Sequence, residues 1–409
     1  MINSLKTRHL LQLYVDSTIV IILILGYFNV GSYIYAAWNP AFLPKYVYYF
    51  IVILGLPVLL LKQQNIAKAT FTPLALWGMV FLILNLVHLI TADSKPYFDV
   101  AATRMQYVML AIYFSILIQL AESNRWQKAF PLIAIAIAGV TLLDFFYPEL
   151  LWPPHSENRI IGRANGFQPN NNAAGEVVLL TALLALPMLK KTMLRTLLVG
   201  FSGLAVFVTF SRAAMLMWGI LVILGIALRT FPKSALLLLV GAALLLSSAS
   251  VLLEDYLIPA LGYQAGSANL LKRIDSIISK DFSDASANER RQVLQQGLEL
   301  FLNKPFTGAG SGAAEIQTGI GPHNQLVLMG EEYGIVGIGL WIGLIVLIFR
   351  GYYFRQRSLQ YIGGTFVIAF TFFTHNLLDY PFWLMTYALL ASWLPYWKRS
   401  GSFSGPEKK

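Results

Sequence analysis

The sequence predicts an all-α, polytopic membrane protein with about twelve transmembrane helices and a long external loop that contains an amphipathic helix. Two observations predict this fold. First, 57% of the residues are hydrophobic and 12% are charged, and the charged fraction is about half that of a typical soluble protein. Second, the apolar residues occur in blocks of roughly 20, the length that crosses the hydrocarbon core of a bilayer.

Hydropathy predicts the individual spans and the loops between them. The approximate span limits are 15–36, 43–62, 71–92, 99–121, 126–146, 173–189, 193–210, 213–229, 234–253, 324–349, 358–378 and 381–397. The first block is predicted to be a span and not a cleavable signal peptide, because it is long and lacks a small-residue cleavage site. The predicted organisation is a helical region over 1–253, a loop over 254–322, three further spans over 324–397 and a tail over 398–409.

The distribution of positive charge predicts the orientation. Alternate loops contain clusters such as Lys190, Lys191 and Arg195, whereas the short loops between them contain only Lys45 and Lys95. Because positive residues favour the cytoplasmic side, both termini are predicted to be cytoplasmic and the long connections 148–172 and 254–322 external. In a bacterium this corresponds to the inner membrane, with the candidate site facing the periplasm.

Composition also limits the chemistry. The net charge of +10 is explained by orientation in the membrane, so it indicates membrane lipids and no nucleic acid as partners. The chain has no cysteine, and its five histidines have no metal-ligand spacing. We therefore expect no metal site and no cofactor.

An amphipathic helix is predicted over about 287–303 of the external loop. Ser286 and Glu289 form a capping box, apolar residues then recur at helical spacing, and Pro305 ends the pattern. At roughly 100° per residue, Arg290 lies about 30° from the centre of the apolar stripe and Arg291 about 70° from it on the other side. Arg290 is therefore predicted to point toward the membrane domain. The alternative role for both arginines is contact with lipid headgroups.

Other polar residues are predicted on the same external side. Arg212 begins a span there, where arginine is disfavoured. The connection before residue 173 contains several candidate ligands for a phosphate or for sugar hydroxyls, namely Arg159, Arg163, Asn170, Asn171 and Asn172. The alternative is a turn with an N-cap for the next helix, which accounts for at least one asparagine.

The segment 308–334 contains the last candidate group. The glycines of GAGSGAA (308–314) allow close backbone approach, but no Lys-Ser/Thr follows them and no strand precedes them, which excludes a P-loop. His323 and Asn324 lie at the outer end of the following span. A further polar turn with His375, Asn376 and Asp379 is interpreted as structural.

Several arginines on one external face, with a histidine and no carboxylate pair, fit the binding of a phosphorylated anion. A lipid linked through pyrophosphate is the ligand that suits a site at this depth. The same arginines could stabilise a departing pyrophosphate, and His323 could orient an acceptor hydroxyl or take its proton.

Two stretches carry a resemblance to a known superfamily. ERRQVLQQGLELFLNKPFTGAG (289–310) and PHNQLVLMGEEYGIVGIGLW (322–341) resemble motifs of the O-antigen ligases (WaaL), O-antigen polymerases (Wzy) and bacterial O-oligosaccharyltransferases. RANGFQPNNNAAG (163–175) and the pair at 211–212 match further features. The resemblance implies functional roles for Arg163, Arg212, Arg290 and His323. Leu294 stands where the family often has tryptophan.

The resemblance implies a metal-independent, inverting glycosyltransferase that takes a glycan from undecaprenyl diphosphate. Chain length and the single structured loop favour a ligase with lipid A-core as acceptor, while a polymerase or an O-oligosaccharyltransferase stays open. A secondary transporter is the alternative from another class. It is disfavoured because the middles of the predicted spans are nearly free of charge, with Arg104 as the main exception.

Overall fold

A computed structural model of the chain describes residues 2–121, 125–153, 163–242, 285–319, 321–351, 357–374 and 377–391. These residues form an all-α structure. Its helices are α1 Ile2–Tyr27, α2 Val30–Ala37, α3 Lys45–Leu61, α4 Gln63–Thr70, α5 Pro73–Ile90, α6 Lys95–Leu120, α7 Phe130–Phe146, α8 Pro148–Leu151, α9 Asn171–Ala185, α10 Thr192–Val208, α11 Arg212–Ala227, α12 Ala285–Asn303, α13 Ala313–Thr318, α14 Gln325–Arg350, α15 Arg357–Thr371 and α16 Pro381–Leu390.

The chain is a multi-pass membrane protein. Among the described residues, 6 helical stretches are long and apolar enough to cross a membrane, and they are His9–Tyr27, Pro73–Ile90, Lys95–Leu120, Arg125–Phe146, Asn171–Met188 and Gln325–Arg350. Shorter apolar helices are Lys45–Leu61, Thr192–Val208, Arg212–Ala227, Lys233–Ala242 and Pro381–Leu390. The count of twelve spans, their orientation and the domain limits stay predictions.

The first predicted span, 15–36, is wrong in its limits. α1 begins at Ile2 and ends at Tyr27, and α2 begins only at Val30. Asn29 separates them with a left-handed backbone conformation, φ 48°. Asparagine tolerates this conformation better than most residues, so a helix can end there inside an apolar stretch.

α9 lies at the centre of the bundle. Of its apolar window, Asn171–Met188, 83% is buried inside the protein, compared with 33% for Pro73–Ile90. The outer helices expose large apolar side chains, such as Ile53 and Ile90. A helix that is apolar on all sides is stable at such a position only if its outer face meets lipid.

The helix α14 is broken at Gly334, where φ is 64° and ψ is −156°. The segment 305–310 supplies hydrogen bonds across this break. The N–H of Ile335 donates to the Pro305 carbonyl (2.7 Å), and the N–H groups of Ala309 and Gly310 donate to the carbonyls of Glu331 (2.6 Å) and Glu332 (3.2 Å). Backbone groups that the break removes from the helical pattern therefore keep partners.

The amphipathic helix α12 packs along the first half of α14. A Cβ at Gly297 would meet side-chain atoms of Val327 and Glu331, and one at Gly330 would meet Phe301. Residues later in α12 thus lie beside residues later in α14, so the two helices run in the same direction. The loop after α12 continues this register, because Pro305 and Phe306 lie against Gly334.

Four sets of contacts bring several helix ends together at one end of the bundle, which we call the polar end. Arg104 of α6 contacts Asp379. The hydroxyl of Tyr380 accepts from Asn170 Nδ2 (2.8 Å). The N–H of Leu377 donates to Gln325 Oε1 (3.2 Å). Gly175 of α9 packs against Ser211 and Ala214 of α11.

Candidate functional site

Arg163 fixes the turn between α10 and α11. Its side chain is buried, Nε donates to the Thr209 carbonyl (2.9 Å), and NH2 donates to the Phe210 carbonyl (3.2 Å). Phe210 has φ 50°, so the backbone here is strained. A cation at the C-terminal end of a helix also suits the helix dipole. These contacts give Arg163 a structural role at the turn, beside any contact with substrate.

Arg212 lies immediately beyond that turn as the first residue of α11. Ser211 is the N-cap, and its side chain accepts from the Ala214 N–H (3.4 Å). Arg212 is partly exposed. A positive side chain in the first turn of a helix opposes the helix dipole, whereas an anion beside it is favourable. The position of Arg212 therefore suits a site that binds an anion.

The three asparagines at the start of α9 have different environments. Asn170 is the N-cap, as predicted for one asparagine of this run, and its oxygen accepts from the Ala173 N–H (2.9 Å). Asn171 is buried and Asn172 is exposed. Of the candidate asparagines, Asn170 therefore has both its side-chain oxygen and its nitrogen engaged with the protein. Arg159 lies outside the described residues.

Arg290 and Arg291 differ in burial. Arg290 is partly buried on α12, whereas Arg291 is exposed, in the order that the helical phase predicts. Extending the α12–α14 register back from Gly297 by two helical turns brings Arg290 level with the residues just before Gln325, which include His323. This register supports the prediction that Arg290 lies toward His323, and their proximity stays a prediction.

His323 and Asn324 precede α14. Both are partly exposed. Asn324 is the N-cap, because its side-chain oxygen accepts from the N–H groups of Leu326 (3.0 Å) and Val327 (3.2 Å). Its oxygen therefore stabilises the helix, and His323 is held at the helix entrance by the cap that follows it.

A buried ionic group lies below these residues. Arg104 forms an ion pair with Glu332, contacts Asp379 through Nε (3.3 Å) and donates through NH1 to the Tyr333 hydroxyl (3.1 Å). The interpretation of Asp379 as structural is consistent with these contacts. His375 and Asn376 lie outside the described residues.

Two polar residues of α5 extend this group, and the sequence analysis missed them. The Tyr333 hydroxyl donates to Asn85 Oδ1 (2.8 Å), Ser311 contacts both groups, and Ser311 Oγ lies 3.0 Å from His88 Nδ1. The His88 ring also stacks on Tyr333. Asn85 and His88 are three residues apart in an otherwise apolar span. This spacing puts them on one helix face and was the signal that could have found them.

Three buried carboxylates lie in the described helices α9 and α14, outside the span middles that the sequence analysis described as nearly free of charge. Glu176, Glu331 and Glu332 are buried within helices α9 and α14. Trp383 Nε1 donates to Glu176 (2.7 Å), and Glu332 is paired with Arg104. All three glutamates lie within the first two turns of their helices, counted from the polar end. They are thus near one surface and away from the middle of the bundle.

Glu315 lies on the short helix α13, outside the apolar spans. Desolvation raises its pKa above the ordinary value, the Asp379 carboxylate raises it further, and the Arg104 guanidinium opposes both effects. Glu315 is therefore close enough to the buried ionic group to sense its charge. Among the described residues no three His, Asp or Glu side chains form a group that could hold a metal ion, and the absence of a metal site stays a prediction.

A cavity of about 560 Å³ opens at the ends of α5 and α6. Its lining combines the α5–α6 turn, the segment 304–311 and α13. Asp93, Tyr97, Lys304 and Gln317 provide polar groups, and His88 also lines the cavity. Arg163, Arg212, Arg290 and His323 are not among its lining residues. The predicted arginine site and this cavity are therefore distinct parts of the polar end.

Fold and site define a multi-pass membrane protein in which cationic side chains and helix N-termini gather at one end. Residues 197–342 match the Wzy_C family, described as O-Antigen ligase. The chain thus contains a Wzy_C domain that runs from α10 through most of α14 and includes Arg212, Arg290 and His323. Proteins of this family are membrane glycosyltransferase-like enzymes that act on lipid-linked glycans. A search of curated proteins found no match to the chain.

Proposed function

We propose that this protein is an O-antigen ligase that moves a glycan from undecaprenyl diphosphate to lipid A-core at the periplasmic face of the bacterial inner membrane. The observation that carries the proposal is the position of Arg290. Arg290 is partly buried on α12, and Gly297, two helical turns further along the same face, packs against α14. This spacing supports a position of Arg290 toward His323, and both residues lie within the matched family region.

The charge of the polar end supports a diphosphate ligand. Arg212 and Arg290 contribute two cations from separate elements, so they approach a ligand from different directions. The helices α9, α11 and α14 begin at the same end, and the partial positive charge of their N-termini attracts anions. Arginine suits a diphosphate because its planar guanidinium binds two phosphate oxygens at once and stays protonated.

The proposed reaction is a single displacement at the anomeric carbon of the donor glycan. The oxygen of an acceptor hydroxyl forms the new glycosidic bond on the face opposite the diphosphate. The bond between the anomeric carbon and the diphosphate oxygen breaks, and undecaprenyl diphosphate leaves with the electron pair. Arg212 and Arg290 stabilise the negative charge that develops on this oxygen. His323 orients the acceptor hydroxyl and takes its proton.

Polymerases and O-oligosaccharyltransferases are proposed to share the donor chemistry and differ in the acceptor. One feature of the chain supports the ligase. Among the described residues, the structured segment formed by α12 and α13 lies between the apolar helices.

The test uses the purified full chain with an undecaprenyl-diphosphate-linked glycan and rough lipopolysaccharide, without added divalent metal. We expect glycan to be transferred to lipopolysaccharide. Arg290→Ala should lower kcat by about a hundredfold or more, because a lost charge contact to the leaving group resembles the loss of an oxyanion donor. Arg291→Ala should have a much smaller effect, because Arg291 is exposed. His323→Ala should also be strongly impaired.

The unfolding temperature of each variant serves as the folding control, and Gln295→Ala, an exposed change on the same helix, serves as the matched variant. Equal activity of the wild type, Arg290→Ala and His323→Ala would contradict the site assignment. Lengthening of the lipid-linked glycan without transfer to lipopolysaccharide would make the protein a polymerase. Saturable solute flux in proteoliposomes without transfer would favour a transporter.

A further inference from the structure

We infer that the cavity at the ends of α5 and α6 binds the saccharide of a lipid-anchored acceptor. The inference rests on the proposed function in calling this saccharide the acceptor. The cavity has a volume of about 560 Å³, which lies in the range of about 300–1,000 Å³ that is typical of small-molecule sites. A transferase with two substrates needs such a second site beside the one that holds the donor diphosphate.

The charge of the cavity distinguishes it from the arginine site. Its lining contains one cationic side chain, Lys304, and one carboxylate, Asp93. These charges balance, so the cavity offers no excess positive charge to a diphosphate. A polyhydroxylated ligand suits it better, because hydroxyl groups accept from an ammonium and donate to a carboxylate.

The rim offers the groups that bind a sugar ring. Tyr97 is partly buried, and its ring lies against Gly310, where a Cβ would be 3.5 Å from Tyr97 Cδ1. Its hydroxyl accepts from Gln317 Nε2 (2.9 Å), which joins the start of α6 to α13. The aromatic ring provides an apolar surface for the C–H face of a sugar, and the amide and hydroxyl groups provide hydrogen bonds at its edge.

The floor of the cavity is fixed by the buried ionic group and the α5 residues that extend it. His88 stacks on Tyr333, with ring centroids 4.8 Å apart, and its Nδ1 lies 3.0 Å from Ser311 Oγ. Tyr333 is in turn held by Asn85 and Arg104. These contacts leave His88 little rotational freedom, so the floor of the cavity is preorganised, which lowers the entropic cost of binding.

One side of the cavity is apolar and exposed. Val87, Phe306 and Val336 line it and have exposed fractions of 50%, 77% and 45%. Exposed apolar side chains at this level of a membrane protein suit contact with lipid chains. A ligand with a sugar head and acyl chains can therefore place its head in the cavity while its chains stay in the bilayer. Helix α13, which contributes Gln317 to the lining, precedes His323 by a few residues in the sequence.

The test measures binding directly and then kinetics. The full chain in nanodiscs is mixed with core oligosaccharide released from rough lipopolysaccharide, and saturation-transfer NMR reports contact with the sugar. We expect saturation transfer to the sugar in the wild type and in Tyr97→Phe, which keeps the ring. We expect this saturation transfer to be lost in Tyr97→Ala. Gln317→Ala, an exposed change, should weaken it. Tyr147→Ala removes an equally large exposed ring outside the cavity and is the matched control.

In transfer assays, Tyr97→Ala should raise KM for the acceptor about tenfold, as expected for the loss of one aromatic contact, and leave KM for the donor unchanged. Absence of oligosaccharide binding in the wild type, or equal binding in the wild type, Tyr97→Ala and Gln317→Ala, would overturn the inference. A raised KM for the donor alone would also overturn it. If the wild type binds the sugar at Tyr97 but transfers no glycan, the proposed function fails while the saccharide site stands.

Discussion

Arg104 of α6 and Glu332 of α14 form an ion pair inside the bundle, where their side chains are 5% and 0% exposed. The two residues are far apart in the sequence, and each also contacts another element. Arg104 reaches Asp379 before α16, and Glu332 Oε1 accepts from the Gly312 N–H (2.7 Å). The pair therefore fixes α6, α14, α16 and the glycine-rich segment relative to one another below the candidate site.

Removal of one partner should be more damaging than removal of both. Arg104→Met leaves the Glu332 carboxylate buried without its cation, which is expected to lower the free energy of unfolding by about 3–5 kcal/mol. The double variant Arg104→Met, Glu332→Met should recover part of this loss, because no uncompensated charge stays buried at the pair. Denaturant unfolding in detergent compares the wild type with both variants. A double variant less stable than Arg104→Met would contradict the role assigned to the pair.

Gly308 should tolerate alanine much less than Gly319 does. Both have positive φ, 71° and 80°, so alanine at either position is expected to cost about 1–2 kcal/mol from the backbone alone. A Cβ at Gly308 would also lie 2.2 Å from the Glu332 carbonyl, whereas no described atom lies within 4 Å of a Cβ at Gly319. Gly308→Ala should therefore cost about 1–3 kcal/mol more. Equal unfolding temperatures for the two variants would show that the segment moves away from α14 without cost.

Alanine substitutions of Asn170 and Asn172 should have different effects on the free energy of unfolding. Asn170→Ala removes an N-cap and a hydrogen bond to Tyr380, with an expected loss of about 1–2 kcal/mol. Asn172→Ala changes an exposed side chain and should alter the free energy of unfolding by less than about 0.5 kcal/mol. Any loss of transfer activity in folded Asn172→Ala protein would then indicate contact with substrate. A large loss of stability in Asn172→Ala would contradict the assigned environments.

The raised pKa of Glu315 predicts a stability difference that grows with pH. Below the ordinary glutamate pKa of about 4.3, Glu315 is protonated in the folded and unfolded states and resembles glutamine. As pH rises through the raised folded pKa, the folded protein acquires a carboxylate beside Asp379, and the favourable contribution of the protonated form is lost. Glu315→Gln should thus become more stable relative to the wild type as pH rises. Unfolding temperatures of both proteins across this pH range test the sign, and an opposite trend would refute it.

Sequence reasoning succeeded where local chemistry determines structure. Pro305 correctly predicted the end of a helix near 303, because proline cannot continue a helix. The predicted close backbone approach of the segment 308–312 is confirmed at Gly308, which lies against the Glu332 backbone, and the glycines at 308, 310 and 312 all adopt positive φ. The phase of Arg290 against Arg291 followed from helical geometry alone.

It failed where partners come from distant parts of the chain. No local pattern pairs Arg104 with Glu332, and the carboxylates of α14 looked like the polar end of a span. The break at Gly334 had no local signal either, because many glycines in membrane helices stay helical and this one is bent by its contact with Pro305 and Phe306. The hydropathy of residues 15–36 likewise concealed the helix end at Tyr27, since asparagine at 29 barely alters an average over twenty residues.

The hydrogen bonds across the break of α14 have a consequence for the evolution of the outer segment. If the backbone groups at the break had no partners, the two halves of α14 could change their relative angle. Here hydrogen bonds to the backbone of residues 305–310 hold the bend. The number of residues in that segment therefore determines the bend angle of α14. Apart from the glycines, side chains along the segment can vary without removing these bonds, whereas a single inserted or deleted residue would shift every bond by one position and tilt the start of α14.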